Sequence, residues 1–232
     1  MEKKILNYAL IVAGGKGTRM GSKVSKQFLN LAGRPVLYHT LKVFSECKDI
    51  HSIILVVSRE DMEFTRNEIV GKYNFTKVEA IVEGGRERQH SVYNGLEAIG
   101  NCNVVLIHDG ARPFINEKII KDGIIYAEKF GACACGVRPK DTIKVIDSSG
   151  FSADTPDRDT LIAVQTPQAF RYELIMNCHR RLMEEGIRAT DDTMVAERYG
   201  HRVYLYEGDY KNIKITTPED MLLGEEILRE LS

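Results

Sequence analysis

The chain has 232 residues, a formal net charge of −1, 43% hydrophobic residues and 28% charged residues. That length suits one large domain, or a domain with a small appendage, and the composition supplies a sizeable core. The charge balance excludes a global basic field for nucleic acid, and no apolar run approaches the roughly 20 residues needed to cross a bilayer.

The first predicted element is a buried strand at residues 8–12. It is too short for a signal-peptide core and ends in glycines, which points to a cytoplasmic protein. Val36, Leu37, Thr40, Leu41 and Phe44 then recur at helical spacing. Buried strands are predicted at residues 52–57, 78–82 and 104–107, with Val92, Leu96 and Ile99 marking a helix between the last two. A further helix spans residues 116–130, with Asn116 as its N-cap. The β-α-β-α rhythm predicts an α/β, Rossmann-like, mostly parallel sheet with helices on both faces, binding ligands at the carboxyl ends of its strands.

The rhythm breaks after Val137. Residues 138–161 are polar and too few for a core of their own, with β-like pieces at 141–146 and 160–163. They predict a protruding hairpin arm rather than a second domain. Its halves could pair with a copy of themselves in an isologous dimer. Regular structure resumes with a helix at 172–183, a strand at 202–206 and a last helix from Pro218. The five cysteines are odd in number and irregularly spaced, and Cys133 and Cys135 lie in an apolar strand-like run. They read as free thiols, and no companion ligands sit nearby for zinc.

Strand one runs into Ala13-Gly14-Gly15-Lys16-Gly17-Thr18-Arg19-Met20-Gly21, followed by Lys23, Lys26 and Gln27. Glycines let backbone N–H groups approach phosphate oxygens; lysine and arginine add charge at the same place. The G-x-x-x-x-G-K-[ST] phosphate loop cannot be placed here, and Gly21 comes one residue late for the dinucleotide pattern.

This loop resembles the signature of sugar-nucleotide pyrophosphorylases and cytidylyltransferases. The resemblance to the 2-C-methyl-D-erythritol 4-phosphate cytidylyltransferase family extends over nearly the whole chain. It takes in Gly84-Gly85-Arg86-Glu87-Arg88-Gln89-His90-Ser91-Val92, His108-Asp109-Gly110-Ala111-Arg112-Pro113-Phe114, Gln165-Thr166-Pro167-Gln168 and Asn212-Ile213-Lys214-Ile215-Thr216. It implies the nucleotide-diphospho-sugar transferase type of fold and a step of non-mevalonate isoprenoid biosynthesis. It also implies a homodimer joined through the arm.

The resemblance also assigns roles. Ala13, Gly14, Gly15 and Gly17 would bind the nucleotide, and Gly85, Arg86 and Ser91 the cytosine end. Arg86 departs from members with an acidic residue there. Lys26 and Arg19 would stabilise the triphosphate and the developing charge. Asp109 would hold Mg²⁺, which prefers oxygen ligands, near the substrate. Ala111 and Arg112 would lie beside the substrate phosphate, and Thr142, Arg158 and Lys214 would hold it. Lys214 is expected on a short strand. His108 reads as a ligand or, preferably, a packed histidine, and Arg88 as surface charge. Asp191 and Asp192 look like a metal pair, but the resemblance makes them helix-start residues.

The expected reaction is in-line attack of a phosphate monoester on the α-phosphorus of CTP. A monoester is already anionic at neutral pH, so no nucleophilic side chain is needed. Ribitol 5-phosphate is the alternative acceptor, although the run from Gly85 to Leu96 leans toward methylerythritol phosphate. An NAD-dependent dehydrogenase would need an acidic residue ending strand two, which instead reads Val57-Ser58-Arg59 with Glu60 in the following turn. A non-catalytic nucleotide-binding module is the remaining alternative.

Overall fold

The computed structural model describes residues 6–15 and 25–231. Its strands and helices follow in chain order. β1 (Asn7–Val12) leads to a small ribbon, β2 (Asn30–Leu31) with β3 (Arg34–Pro35), and to α1 (Val36–Glu46). Next come β4 (Ser52–Val57), α2 (Met62–Phe64), β5 (Val78–Glu83), α3 (Arg88–Ile99), β6 (Val104–Asp109), α4 (Glu117–Phe130) and β7 (Ala132–Val137). The arm carries β8 (Val145–Ile146) and β9 (Ser152–Asp154). The chain returns through β10 (Ala163–Arg171), α5 (Tyr172–Glu185), α6 (Asp192–Arg198), β11 (Tyr204–Glu207) and α7 (Pro218–Leu231).

Seven strands form one sheet in the order β11-β7-β10-β6-β1-β4-β5. β10 runs antiparallel to both neighbours, and the other pairings are parallel. Alternation along each strand divides the core in two. Ala9 and Ile11 face Leu37, Leu41 and Phe44 of α1 and Ile120 of α4. Tyr8 and Leu10 face Val92 and Leu96 of α3, Ile175 of α5 and Val195 of α6. The expected layers, helices on both faces of a mostly parallel sheet, are therefore present. A third, smaller cluster packs Ile227 of α7 against Leu31, Val36, Phe114 and Ile215.

Two local expectations need correction, and one element was not anticipated. The arm's second strand is Ser152–Asp154, not 160–163: Ser149 and Phe151 donate their N–H groups to the Asp147 carboxylate at 2.9 and 3.0 Å, closing a tight turn. Thr160 instead ends a short 3-10 turn, Arg158–Thr160. Lys214 is not on a strand; its segment is pinned by single bonds such as Ile215 N–H to Ala111 O at 2.8 Å. Finally, α2 continues as a π-helical stretch, Thr65–Gly71. Only Thr65 and Ile69 of that stretch are buried, too few for an amphipathic signal.

Candidate active site

The carboxyl ends of β1, β4 and β6 finish level, because Val12 pairs with Val56 on one side and Asp109 on the other. Three short bonds carry this alignment into the loops. Ala13 N–H donates to Val56 O at 2.7 Å, Gly84 N–H to Val57 O at 2.7 Å and Gly110 N–H to Val12 O at 2.8 Å. A cleft of about 700 Å³ opens there. Its wall brings together Ala13, Gly14, Gly15, Lys26, Gly85, Arg86, Ser91, Asp109, Ala111 and Lys214. Gly17 and Arg19 lie outside the described residues.

The loop after β1 is fixed at both described ends. Gln27, buried in the turn that starts at Lys26, donates from its amide to Ala13 O at 2.6 Å. Ser25 and Ser58 both donate hydroxyl protons to Asp61, at 3.1 and 2.8 Å, tying the returning end to the mouth of β4. Among the described residues, a Cβ at Gly15 would meet no atom beyond its chain neighbours within 4 Å, and Gly15 lines the cleft. Gly85 is different: a Cβ there would lie 2.3 Å from His90 Cβ. The second loop thus packs on the first turn of α3 so closely that only glycine fits. Ser91 locks it, accepting from Gly85 N–H at 3.0 Å and donating to Glu87 O at 3.3 Å. The amino end of α3 points its positive dipole into the cleft, a favourable place for phosphate.

Asp109 is the electrostatic centre. Its side chain is 11% exposed and meets three cations. Lys214 Nζ lies 2.7 Å from Oδ2, Arg112 Nε 3.8 Å from Oδ2 and Arg88 Nε 3.4 Å from Oδ1. Burial opposes ionisation, but Arg88, Lys214 and Arg112 outweigh it and hold the carboxyl well below its ordinary range. Arg112 sits behind Asp109 rather than in the cleft wall, and donates to Asn212 O at 2.8 Å.

His108 is a packed histidine. It is fully buried, and its ring lies 5.0 Å from that of Phe44. Nε2 is 3.1 Å from Arg112 O and Nδ1 3.1 Å from Thr166 Oγ1, while Asp109 N–H donates to the same hydroxyl at 3.1 Å. A carbonyl only accepts, so Nε2 carries the proton and Nδ1 takes the threonine proton. Burial pulls the ring down to about 4, in keeping with a neutral tautomer. The ring's work is to seat Asp109 and Arg112.

Arg88 is not surface charge. It lines the cleft and bridges Asp109 to Asp192, with Nη1 2.8 Å from Asp192 Oδ2. Its sequence signal was its place at the first turn of a helix that opens on the glycine pair. Asp191 caps α6 by accepting from Met194 N–H at 2.9 Å, as expected of a helix-start residue. Glu60 and Glu83 also line the wall. Thr142 and Arg158 do not; both lie on the exposed arm, where Arg158 donates to Lys140 O at 2.9 Å. Among the described residues, no group of three or more His, Cys, Asp or Glu is arranged to hold a metal, and no helix is long and apolar enough to cross a membrane. The five cysteines are free, four of them buried.

A single, mostly parallel sheet with helices on both faces, whose carboxyl edge sets lysine, arginine and glycine backbone around Asp109, is the frame of a nucleotidyltransferase. A family model for 2-C-methyl-D-erythritol 4-phosphate cytidylyltransferase matches residues 7–230. Proteins of that name from Clostridium perfringens (strain SM101 / Type A) and Clostridium novyi (strain NT) are each 56% identical to this chain. They cover 95% and 97% of it, with 98% and 97% of their own lengths. A solved 4-diphosphocytidyl-2C-methyl-D-erythritol synthase from Anaerococcus prevotii DSM 20548 is similar, with TM-score 0.85 at 34% identity over 97% of this chain and 96% of that one. The chain belongs to the 2-C-methyl-D-erythritol 4-phosphate cytidylyltransferase family.

Proposed function

We propose that the cleft transfers a cytidylyl group from CTP to 2-C-methyl-D-erythritol 4-phosphate, in non-mevalonate isoprenoid biosynthesis. The products are 4-diphosphocytidyl-2-C-methyl-D-erythritol and pyrophosphate. The observation that carries this reading is the convergence of Gly14, Gly15, Lys26, Asp109 and Lys214 on one cleft. The acceptor phosphate oxygen bonds to the α-phosphorus in line with the bridging oxygen, whose bond breaks as pyrophosphate leaves. Two anions must meet, so the protein's task is positioning and charge stabilisation. Lys26 and Arg19 neutralise the triphosphate and the five-coordinate phosphorus. Lys214 exchanges part of its bond to Asp109 for the acceptor phosphate, and Arg112 adds charge from behind Asp109. Ala13, Gly14, Gly15 and Gly17 cradle phosphate, while Gly85, Arg86 and Ser91 border the cytosine.

Mg²⁺ is the metal of this proposal. Asp109 in the cleft wall, with no assembled protein cage among the described residues, fits an ion that draws most of its oxygens from phosphates and water. Bound there, it would neutralise phosphate oxygens. The molecule is read as a single cytoplasmic nucleotidyltransferase domain, residues 1–232, with 138–161 as a dimerisation arm bringing Thr142 and Arg158 to the partner's cleft.

The test is pyrophosphate release with four nucleoside triphosphates, each paired with methylerythritol phosphate or ribitol 5-phosphate. Release is expected with CTP and methylerythritol phosphate. Equal or faster release with ribitol 5-phosphate would transfer the assignment to that acceptor. No release with any pair would leave a binding module.

A further inference from the structure

We infer that Arg88 is a positioning residue for Asp109, and that Asp192 at the start of α6 holds Arg88 in place. Lys214 and Arg112 both approach Oδ2 of Asp109, whereas Arg88 approaches Oδ1. When an acceptor phosphate draws Lys214 away, Oδ2 loses its 2.7 Å partner. Arg88 keeps the carboxylate from following it.

The guanidinium is suited to this. Its planar fork spans two carboxylates at once, Nε 3.4 Å from Asp109 Oδ1 and Nη1 2.8 Å from Asp192 Oδ2. A lysine, with a single charged atom, cannot reproduce that fork. Asp192 itself cannot serve the substrate directly: its side chain is 1% exposed and it does not line the cleft. Its other oxygen lies 3.2 Å from Nε2 of the buried His179.

The backbone closes the arrangement into a ring. Asp192 N–H and Thr193 N–H donate to Gln168 Oε1 at 3.0 and 3.1 Å. Gln168 sits on β10 opposite Ile107 of β6. β6 carries Asp109. From strand β6 the path runs through β10 and α6 to Asp192, then through Arg88 back to Asp109. The links are strand pairing, hydrogen bonds to Gln168 and, between Arg88 and Asp192, an ion pair. Charged pairs removed from water contribute little net stability for their desolvation cost, so the gain here is fixed geometry at Asp109.

The inference rests on Asp109 serving the reaction, and the test separates the two. Turnover is measured by pyrophosphate release from the full-length enzyme at saturating substrates, with melting temperatures alongside. Arg88→Lys should lower kcat roughly 10- to 100-fold while the KM for CTP stays within about threefold, as for a catalytic group shifted by a fraction of an ångström. Asp192→Asn should do the same, and the double variant should be no worse than about twofold below the poorer single. In an Asp109→Asn background, Arg88→Lys should cost less than about twofold.

A kcat for Arg88→Lys within about threefold of wild type would overturn the inference, as would a loss expressed only in KM or an equal loss in the Asp109→Asn background. Asp109→Asn alone probes the premise. If it is fully active, Asp109 has no role to position and the inference falls with it. If it is impaired while Arg88→Lys adds its full penalty, only the inference falls. Should Asp192→Asn not fold, Arg88→Lys, Asp109→Asn and their double leave the α6 core untouched and decide the matter.

Discussion

The cleft around Asp109 and the arm at 138–161 solve opposite problems. In the cleft, a carboxylate that is 11% exposed is compensated inside its own chain by Lys214, Arg88 and Arg112. In the arm, Phe151 is 75% exposed and Ile146 67%, and Arg158 reaches only to Lys140 O within the same arm. Buried charge needs fixed partners at once, so the cleft is organised before substrate arrives. Exposed apolar side chains on a short polar ribbon are uncompensated until another surface covers them. The buried charge is compensated within the chain, whereas the arm's apolar side chains stand in solvent.

The largest effect that sharpens this contrast is expected at Lys26. Lys26→Ala should lower kcat by roughly 10²- to 10³-fold, as when one preorganised charge-stabilising donor is removed. Steady-state kinetics would contradict this if kcat stayed within twofold and only KM rose. The next experiment joins the two regions. Lys26→Ala and Arg158→Ala homodimers should each be nearly inactive. Refolding an equal mixture gives about half heterodimers, each with one intact site, so about a quarter of wild-type activity should return. No recovery, with heterodimers confirmed by mass, would assign Arg158 to its own chain's cleft.

A third, smaller effect is read beside the loss of kcat that Asp109→Asn must also show: the Mg²⁺ concentration needed for half-maximal rate should rise several-fold, on the order of 1 kcal/mol. An unchanged Mg²⁺ titration would remove Asp109 as a metal ligand. The smallest effect lies behind the cleft. Asp220 accepts from Thr216 N–H, Thr217 N–H and the Thr216 hydroxyl at 2.7, 2.8 and 2.8 Å, anchoring α7 just after Lys214. Burial opposes its ionisation, but these donors win and depress its titration. Its stabilisation is therefore present above the unfolded value of about 4 and lost as pH falls through the lower folded value. Asp220→Ala should cost about 1 kcal/mol at neutral pH, and the gap in melting temperature should shrink in acid. A gap independent of pH would refute the capping role.

The layers and most of the cleft were legible because they rest on local patterns. Continuous apolar runs in β1, β4 and β6, glycines at strand ends and Asn116 before α4 each announce themselves within a few residues. The partner of Arg88 was not legible, although the residue's place at the first turn of α3 was. Its meaning depends on Asp192, which lies far along the chain and reaches it only through the fold. The same holds for His108, whose neutral tautomer is set by Thr166 and Arg112. The arm's turn was legible but overlooked: Asp147 and Gly150 carry the turn chemistry that moves β9 ahead of the expected segment. Lys214 was misplaced on a strand because an apolar-polar alternation there is satisfied by isolated bonds to the loop after β6, without a ladder.

β10, the antiparallel strand, has a consequence for the order of assembly. β6 and β7 are neighbours in sequence, yet β10 lies between them in the sheet. Until the chain has been synthesised through Arg171, both strands present open, apolar edges toward each other's flank, and neither can pair across the gap. A nascent chain ending within the arm thus carries one open edge on β6 and both edges of β7, the kind of surface that recruits other chains. The last central strand to leave the ribosome is the one that joins the two parallel blocks, and it brings Thr166 and Gln168, the seats of Asp109 and α6. β11 and the cleft-lining Lys214 follow it, so sheet and cleft are both finished only after β10 has bridged the gap.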